Sequence, residues 1–230
     1  MVKERLEKDE KMGEKSDIQN EMKARISEEA LDAAFDARFP KAMQEKLRGA
    51  RVAIAGLGGL GSNIAVMLAR SGIGKLLLVD FDVVDVTNLN RQMYLIRHLG
   101  RPKTEALTEL LYEINPYMEY ESRCVKVTPE NMASLFADYP IVCEAFDQPD
   151  QKAMLVRELL MQCPNSVVIS GNGMAGYADA NEICTTQMMR RLYVCGDQKT
   201  DVSIGIGLMA PRVAACAAHQ ANKVIQLILK

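Results

Sequence analysis

The chain has 230 residues, of which 48% are apolar and 25% are charged, and its formal net charge at pH 7 is −2. This composition is ordinary for a globular protein with a full core, and the slightly acidic balance excludes nucleic-acid binding that rests on bulk positive charge. The sequence contains no apolar run long enough to span a membrane, and its charged start lacks the apolar segment of a secretory signal. The six cysteines are scattered and form no C-x-x-C pair that could hold zinc. We therefore expect a cytoplasmic protein that binds neither nucleic acid, membrane nor zinc.

The N-terminal segment differs in composition from the rest of the chain. Residues 1 to about 26 mix both signs of charge and bury little apolar surface, which predicts a frayed helix or disorder. Ser27, followed by two glutamates, is typical of a helix start, and helical patterning then continues to a stop at Gly49. We expect residues 1–48 to form a charged, partly disordered extension with a helical arm, and residues 49–230 to form the main domain.

Strands and helices alternate after residue 49. Short apolar runs predict strands at residues 51–55, 76–79, 120–127, 141–143 and 167–170. The segments between them predict helices at residues 62–70, 102–114, 129–137 and 151–161. Two more strands, at 180–185 and 192–195, and a last helix over 208–229 complete the pattern. Strands joined by helical crossovers predict an α/β fold with a doubly wound, Rossmann-like mixed sheet that is mostly parallel.

A glycine-rich loop joins the first strand to the first helix of this pattern. Gly56, Gly58, Gly59 and Gly61 allow a tight turn and let backbone N–H groups approach a phosphate at the helix N-terminus. Asp80 ends the second strand, where its carboxylate can accept hydrogen bonds from both ribose hydroxyls. The loop therefore predicts a nucleotide site, although the same glycines could serve only close packing of helix on sheet. The loop alone does not distinguish NAD from ATP.

The residues after the ribose acid favour ATP. Asn88, Arg91 and Lys103 place an amide and two cations downstream of it, which suits a triphosphate whose charge must be neutralised. A dinucleotide dehydrogenase has no use for these groups. The alternative is a solvated loop whose cations pair with Asp82 and Asp85.

Five motifs in this region occur in the order seen in one known family. They are GLGGLG at residues 56–61, DFD at 80–82, TNLNRQ at 87–92, PK at 102–103 and AFD at 145–147. From about Leu47 to its C-terminus the chain resembles the ThiF/MoeB/HesA family, the adenylyltransferases related to ubiquitin-activating enzymes. Three further segments, at 174–177, 193–197 and 208–213, resemble the short, zinc-free ThiF-like branch of thiamine (thiazole) biosynthesis.

The resemblance implies a role for each matching residue. Gly59 would line the ATP site, Asp80 would hold the ribose, and three residues would contact phosphates: Asn88, Arg91 and Lys103. Asp147 would hold Mg²⁺, and the pattern agrees, because an acid just past the fourth strand faces the ligand crevice of a parallel sheet. The catalytic residues expected on this basis are Arg91, Lys103 and Asp147. Gln148 departs from the asparagine that many relatives carry after this acid.

The resemblance also implies an activity and partners. The expected reaction is ATP-dependent adenylation of the C-terminal glycine carboxylate of a ThiS-like sulfur carrier, a small ubiquitin-like protein ending in Gly-Gly. Relatives form homodimers, so we expect this chain to form a homodimer as well. Some relatives supply an arginine across the dimer, for which Arg38 is a candidate substitute. Three alternatives stay open: an NAD-dependent oxidoreductase, an adenylating tRNA-modifying dehydratase and a noncatalytic carrier-binding scaffold.

One thiol is a candidate for sulfur transfer. Cys195 ends a predicted strand and enters a glycine-bearing stretch, so we expect it at an exposed loop end where a thiolate could attack an activated carrier. Cys184, within a predicted strand, is the second candidate. The alternative is that Cys195 is a small apolar filler in the core.

Overall fold

The computed structural model describes residues 17–202 and 205–230. Eight helices lie in these residues: α1 (residues 17–25), α2 (Glu28–Asp36), α3 (Lys41–Arg48), α4 (Gly59–Arg70), α5 (Lys103–Ile114), α6 (Met132–Phe136), α7 (Pro149–Gln162) and α8 (Ala210–Leu229). Seven strands accompany them: β1 (Arg51–Ala55), β2 (Lys75–Asp80), β3 (Glu119–Cys124), β4 (Ile141–Glu144), β5 (Val167–Gly171), β6 (Cys184–Met189) and β7 (Leu192–Gly196). No helix of the described chain is long and apolar enough to cross a membrane.

The strands form one sheet in the order β3-β2-β1-β4-β5-β7-β6. All neighbouring strands are parallel except β6, which runs antiparallel to β7 at one edge. The chain builds outward from β1 in one direction and then returns to place β4 on the other side of β1. The sheet is therefore doubly wound with its switch point between β1 and β4, which confirms the predicted fold class.

Helices cover both faces of this sheet because successive strand residues point to opposite sides. Ile54 and Leu78 belong to a core shared with α4, α5 and α8, whereas Ala53 and Leu77 belong to a core shared with α6 and α7. All four of these residues are buried. Apolar strands with both faces covered are the expected signature of a parallel sheet.

The N-terminal arm lies at the amino ends of the strands. In α1 the Gln19 amide donates a hydrogen bond of 2.7 Å to the carbonyl oxygen of Pro116, just before β3. Phe35 of α2 lies beside Gly72, just before β2. Arg38, the candidate for an arginine supplied across a dimer, follows α2 and is exposed. The predicted helical arm is confirmed for the described residues; of the segment 1 to about 26, for which a frayed helix or disorder is predicted, residues 17–25 are helical and residues 1–16 lie outside the described part of the chain.

Two predicted elements are wrong in extent or position. The helix predicted at 129–137 is shorter and consists of α6 alone. The Asn131 side chain accepts a hydrogen bond from the Thr128 N–H and donates one to the Lys126 carbonyl, both at 2.9 Å, and so stabilises a turn in place of the first helical residues. The strand predicted at 180–185 is displaced to β6, because Asp179 caps a short 3-10 turn over residues 180–182. The remaining elements lie within about three residues of their predicted positions, the usual error of sequence-based boundaries.

Candidate nucleotide-binding site

The glycine loop fits tightly against the end of β4 at the switch point. Gly56 has a φ of +89°, and a Cβ placed there would lie 2.8 Å from the carbonyl oxygen of Ala145 and 2.9 Å from the ring of Phe146. A Cβ at Gly61 would lie 1.8 Å from the carbonyl oxygen of Gly56. These two glycines are therefore required by the turn itself.

The middle of the loop is the part that a ligand can approach. A Cβ at Gly58 would meet only the amide of Gln92, at 3.8 Å. Gly59 begins α4, and a Cβ there would lie 2.9 Å from Val213 of α8 and 3.5 Å from the side chain of Arg91. Both glycines are partly exposed. The first turn of α4 therefore offers backbone N–H groups and the positive end of a helix dipole to an anion.

Asp80 ties the glycine loop to the end of β2. Its carboxylate accepts hydrogen bonds from the backbone N–H of Leu57, at 2.6 Å, and of Asp82, at 2.8 Å. A carboxylate has about four acceptor positions, so a ribose can still bind beside these two donors. The sequence pattern predicted only a ribose-binding role for Asp80 and did not reveal this structural role.

The segment that carries Arg91 is fastened along the same loop. The Asn63 amide of α4 donates to the carbonyl oxygen of Arg91 at 3.1 Å, and the Tyr94 hydroxyl donates to the carbonyl oxygen of Leu57 at 2.8 Å. Burial, together with the nearby Asp80 charge, raises the pKa of Tyr94, so its hydroxyl remains a donor. Sequence reasoning did not identify Asn63 or Tyr94, although a polar residue in the buried face of a helix was a usable signal.

Arg91 carries a positive charge that no acid of the described residues neutralises. Its guanidinium donates to the Thr87 carbonyl at 3.1 Å and to the Asn90 side-chain oxygen at 2.8 Å. Among residues 17–202 and 205–230, no carboxylate lies within ion-pair distance of it. Asn88 is close in sequence, and its side-chain oxygen accepts from the Asp85 N–H at 3.0 Å, which leaves its NH₂ group to face a ligand. The predicted phosphate contacts of Asn88 and Arg91 stay predictions that this geometry favours.

Lys103 behaves differently. Its ammonium is buried and lies 2.9 Å from a carboxylate oxygen of Asp82, which is half-exposed. The sequence left open that the cations of this loop pair with Asp82 and Asp85 instead of binding phosphate. In the structure Lys103 does pair with Asp82. An ammonium has three donors, so a phosphate could share Lys103 with Asp82 instead of replacing it.

Asp147 is an exposed acid just beyond the carboxyl end of β4. It follows Phe146 beyond β4, is exposed, and has no hydrogen-bond or ion-pair partner within the described chain. The described residues contain no group of three or more His, Cys, Asp or Glu side chains that could hold a metal by themselves. A single free carboxylate fits Mg²⁺, which is usually held by one or two carboxylates together with the phosphate oxygens of its nucleotide.

The expectation that Cys195 lies at an exposed loop end is wrong. Its side chain is fully buried, because β7 is an interior strand between β5 and β6. Burial raises the pKa of this thiol, although a hydrogen-bond contact with Thr185 opposes the rise, so the reactive thiolate is disfavoured. Cys184, the second candidate, is the exposed cysteine of this pair.

A glycine loop, an acid at the end of β2 and free charges at the switch point of a doubly wound sheet define a Rossmann-type nucleotide-binding protein. A comparison with family models makes this more specific: the ThiF family matches residues 31–230. The chain therefore belongs to the ThiF family, which confirms the resemblance found in its motifs.

Individual relatives and solved structures agree with this membership. The chain is 32% identical over 193 residues to molybdopterin-synthase adenylyltransferase of Haemophilus influenzae, covering 81% of this chain and 78% of that protein. It is 38% identical over 113 residues to adenylyltransferase and sulfurtransferase uba4 of Aspergillus terreus, but spans only 23% of that protein's length. The E. coli tRNA N6-threonylcarbamoyladenosine dehydratase TcdA, solved with ATP, shares the fold with a TM-score of 0.78 at 23% identity over 86% of this chain and 93% of that one. These names do not single out thiamine biosynthesis, so that part of the expectation stays a prediction.

Proposed function

We propose that this protein uses ATP to adenylate the C-terminal glycine carboxylate of a small ubiquitin-like sulfur carrier protein that ends in Gly-Gly. One observation carries the proposal: within the described residues Arg91, whose side chain lies beside Gly59, has no acidic partner, and Asp147, which follows Phe146 beside Gly56, has no cationic one. A hydride-transferring enzyme has no need of such a pair. The names of the Haemophilus and Aspergillus relatives support adenylyl transfer.

The chemistry needs only positioning and charge neutralisation. A carboxylate is a poor electrophile because oxide is a poor leaving group. When a carboxylate oxygen attacks the α-phosphorus of ATP, a new O–P bond forms while the bond from that phosphorus to the bridging oxygen breaks, and its electron pair leaves with pyrophosphate. The resulting acyl-adenylate carries AMP, which departs easily. The site must therefore align the two reactants and stabilise charge on the phosphate oxygens.

The roles proposed for the residues follow their places in the structure. The N–H groups at Gly58 and Gly59 would receive a phosphate at the start of α4, and Asp80 would hold the ribose. Asn88, Arg91 and Lys103 would contact the phosphate chain. Asp147 would hold Mg²⁺ together with phosphate oxygens, and the ion would withdraw charge from the phosphates when bound.

A second candidate is a tRNA-modifying dehydratase, because the TcdA structure superposes over 93% of its length. At 23% identity that match concerns the fold alone. The net charge of −2 argues against it, since binding to a phosphate backbone relies on a surplus of cations.

Pyrophosphate exchange separates these functions. The protein is incubated with ATP, Mg²⁺, labelled pyrophosphate and, in turn, each Gly-Gly-ending carrier of its organism, a carrier lacking the last glycine, or bulk tRNA. We expect label in ATP only with an intact carrier, and an adenylate adduct on that carrier by intact mass. ATP consumption that depends on tRNA alone would favour the dehydratase. Tight NADH binding without exchange would favour an oxidoreductase, and carrier binding without exchange a scaffold.

A further inference from the structure

A fully buried acid lies three residues before Asp147 in the chain. Glu144, the last residue of β4, has no exposed surface. Its carboxylate accepts from the Phe146 N–H at 2.7 Å, from the Ser170 hydroxyl at 2.5 Å, and from the Lys152 ammonium at 3.0 and 2.8 Å. Four donors thus fill the four acceptor positions of the carboxylate.

Lys152 completes a clamp around one residue. It lies near the start of α7, and its ammonium also donates to the carbonyl oxygen of Phe146 at 3.0 Å. Glu144 therefore holds the N–H of Phe146 while Lys152 holds its carbonyl group. All three donors of the ammonium are used within this cluster.

The clamped residue determines where its neighbours lie. Phe146 contacts the glycine loop, since its ring would lie 2.9 Å from a Cβ at Gly56. It also directly precedes Asp147, which has no partner of its own within the described chain. The backbone at Phe146 is therefore what places the Asp147 carboxylate relative to the glycine loop.

Stability alone does not account for this arrangement. Replacing a buried ion pair by well-packed apolar residues is often neutral or stabilising, because both charges lose their hydration. Arg191 offers a comparison at the other end of α7, where it donates to the carbonyl oxygens of Leu160, Cys163 and Ser166. That cation joins helix and sheet at the amino ends of the strands without any buried acid.

We propose that Glu144 and Lys152 are positioning residues that hold Asp147 in place to bind Mg²⁺ with the nucleotide. The inference rests on the proposed function, because it takes Asp147 to be the metal-binding acid. Neither residue touches the reacting atoms; both act through the backbone of Phe146.

The test measures the affinity for ATP with and without Mg²⁺ by titration calorimetry, which requires no carrier and no turnover. The variants are Glu144→Gln with Lys152→Met, which removes both charges together, and Lys152→Arg, which keeps the charge and the donors. Asp147→Asn serves as the reference for a lost metal contact. Arg191→Met is the matched control, since it removes a helix-binding cation at the opposite edge.

We expect the wild type to bind ATP more tightly with Mg²⁺. The double variant should lose most of that gain, as Asp147→Asn does, while its affinity for metal-free ATP stays within about threefold of the wild type. Lys152→Arg should retain the gain, and Arg191→Met should keep it in full at a lower melting temperature. Should the double variant not fold, Glu144→Gln alone, which leaves the partly exposed Lys152 ammonium able to reach water, should show a partial loss.

The outcomes separate the two levels of the argument. If the wild type gains affinity with Mg²⁺ and the folded double variant, or Glu144→Gln in its place, gains as much, the positioning role is wrong and the proposed function is untouched. If the wild type itself gains nothing from Mg²⁺, the metal role of Asp147 fails, and with it both this inference and the site assignment on which it rests. Loss of the gain in Arg191→Met would also overturn the inference, because it would mean that any weakening of α7 has the same effect.

Discussion

Several charges at the amino edge of the sheet have partners, whereas two at the carboxyl edge have no opposite charge beside them in the residues that the structure describes. At the amino ends of the strands, Lys75 lies 2.5 Å from Glu119 and 3.1 Å from Glu121, and Arg191 is bound by three backbone carbonyls. At the carboxyl ends, Arg91 and Asp147 have no opposite charge beside them in the residues that the structure describes. Charges in ion pairs join elements of the fold, whereas a charge without an opposite charge beside it remains available to a charged ligand. The comparison separates the residues expected to serve stability from those expected to serve activity.

The largest effect is expected from Asp147→Asn at the carboxyl edge. The change keeps the shape of the side chain but removes the charge proposed to meet the metal. Losing a principal charge contact of this kind costs on the order of 3 kcal/mol, so carrier-dependent exchange should fall about a hundredfold. The melting temperature should not change, because no described contact is lost. Unchanged exchange at limiting Mg²⁺ would show that another acid, such as Asp82 or Asp85, holds the metal.

A smaller loss is expected from Arg91→Met on the other side of the glycine loop. A hydrogen bond to a charged group contributes roughly 2 kcal/mol, which corresponds to a rise of about thirtyfold in the KM for ATP. Arg97 provides the control on the same segment, because it is exposed and its charge is already paired with Glu113 at 2.8 Å. Equal losses in Arg91→Met and Arg97→Met would mean that the missing acidic partner of Arg91 has no functional meaning.

At the amino edge we expect a substitution to lower the stability of the fold and to leave the exchange activity unchanged. Arg191→Met leaves three carbonyl groups without their donor, which should lower the free energy of unfolding by about 1–2 kcal/mol. Urea unfolding measures this change, and exchange activity at 25 °C should stay at the wild-type level. A variant with normal stability and impaired exchange would break the division between the two edges.

The smallest effect is the response of a carboxyl group at the amino edge to a low pH. Partial burial opposes ionisation of Glu121, but hydrogen bonds from Lys75 and Tyr139 outweigh it, so the pKa of this carboxyl lies below its ordinary value of 4.5. The stabilisation is complete above that value and is lost as the pH falls through the lowered folded-state pKa. Because the group is partly exposed, it amounts to less than about 1 kcal/mol.

Thermal unfolding of Glu121→Gln checks this sign. At pH 7 the variant should melt slightly below the wild type, and at pH 3 the two should melt together. A difference that persists or grows on acidification would contradict the assigned direction.

Local signals explain which parts of the molecule the sequence could predict. The loop of Gly56 and Gly61 and the acid at Asp80 lie within one strand–loop–helix–strand unit, so their placement follows from short-range patterns. The position of β7 between β5 and β6 depends on pairing between distant segments, and this is why Cys195 was expected at an exposed end and is buried. The same limit applies to side-chain pairs formed by tertiary contact.

Two such pairs show what signal was present. Lys103 and Asp82 were both noted in the sequence, but only the antiparallel contact between their segments decides that they pair. Glu144 ends an otherwise apolar strand, which marks it as a buried acid that needs a cation. Nothing in the pattern identifies Lys152 as that cation, since the helix that carries it also contains other charged residues.

The central claim is that the carboxyl edge of this sheet activates a carboxylate with ATP. Its most direct test is the rate of carrier-dependent pyrophosphate exchange, measured side by side on the wild type, Asp147→Asn and Arg191→Met. We expect exchange in the wild type and in Arg191→Met, and a loss of about a hundredfold in Asp147→Asn. Absence of exchange in the wild type with every Gly-Gly carrier, or equal exchange in all three proteins, would contradict it.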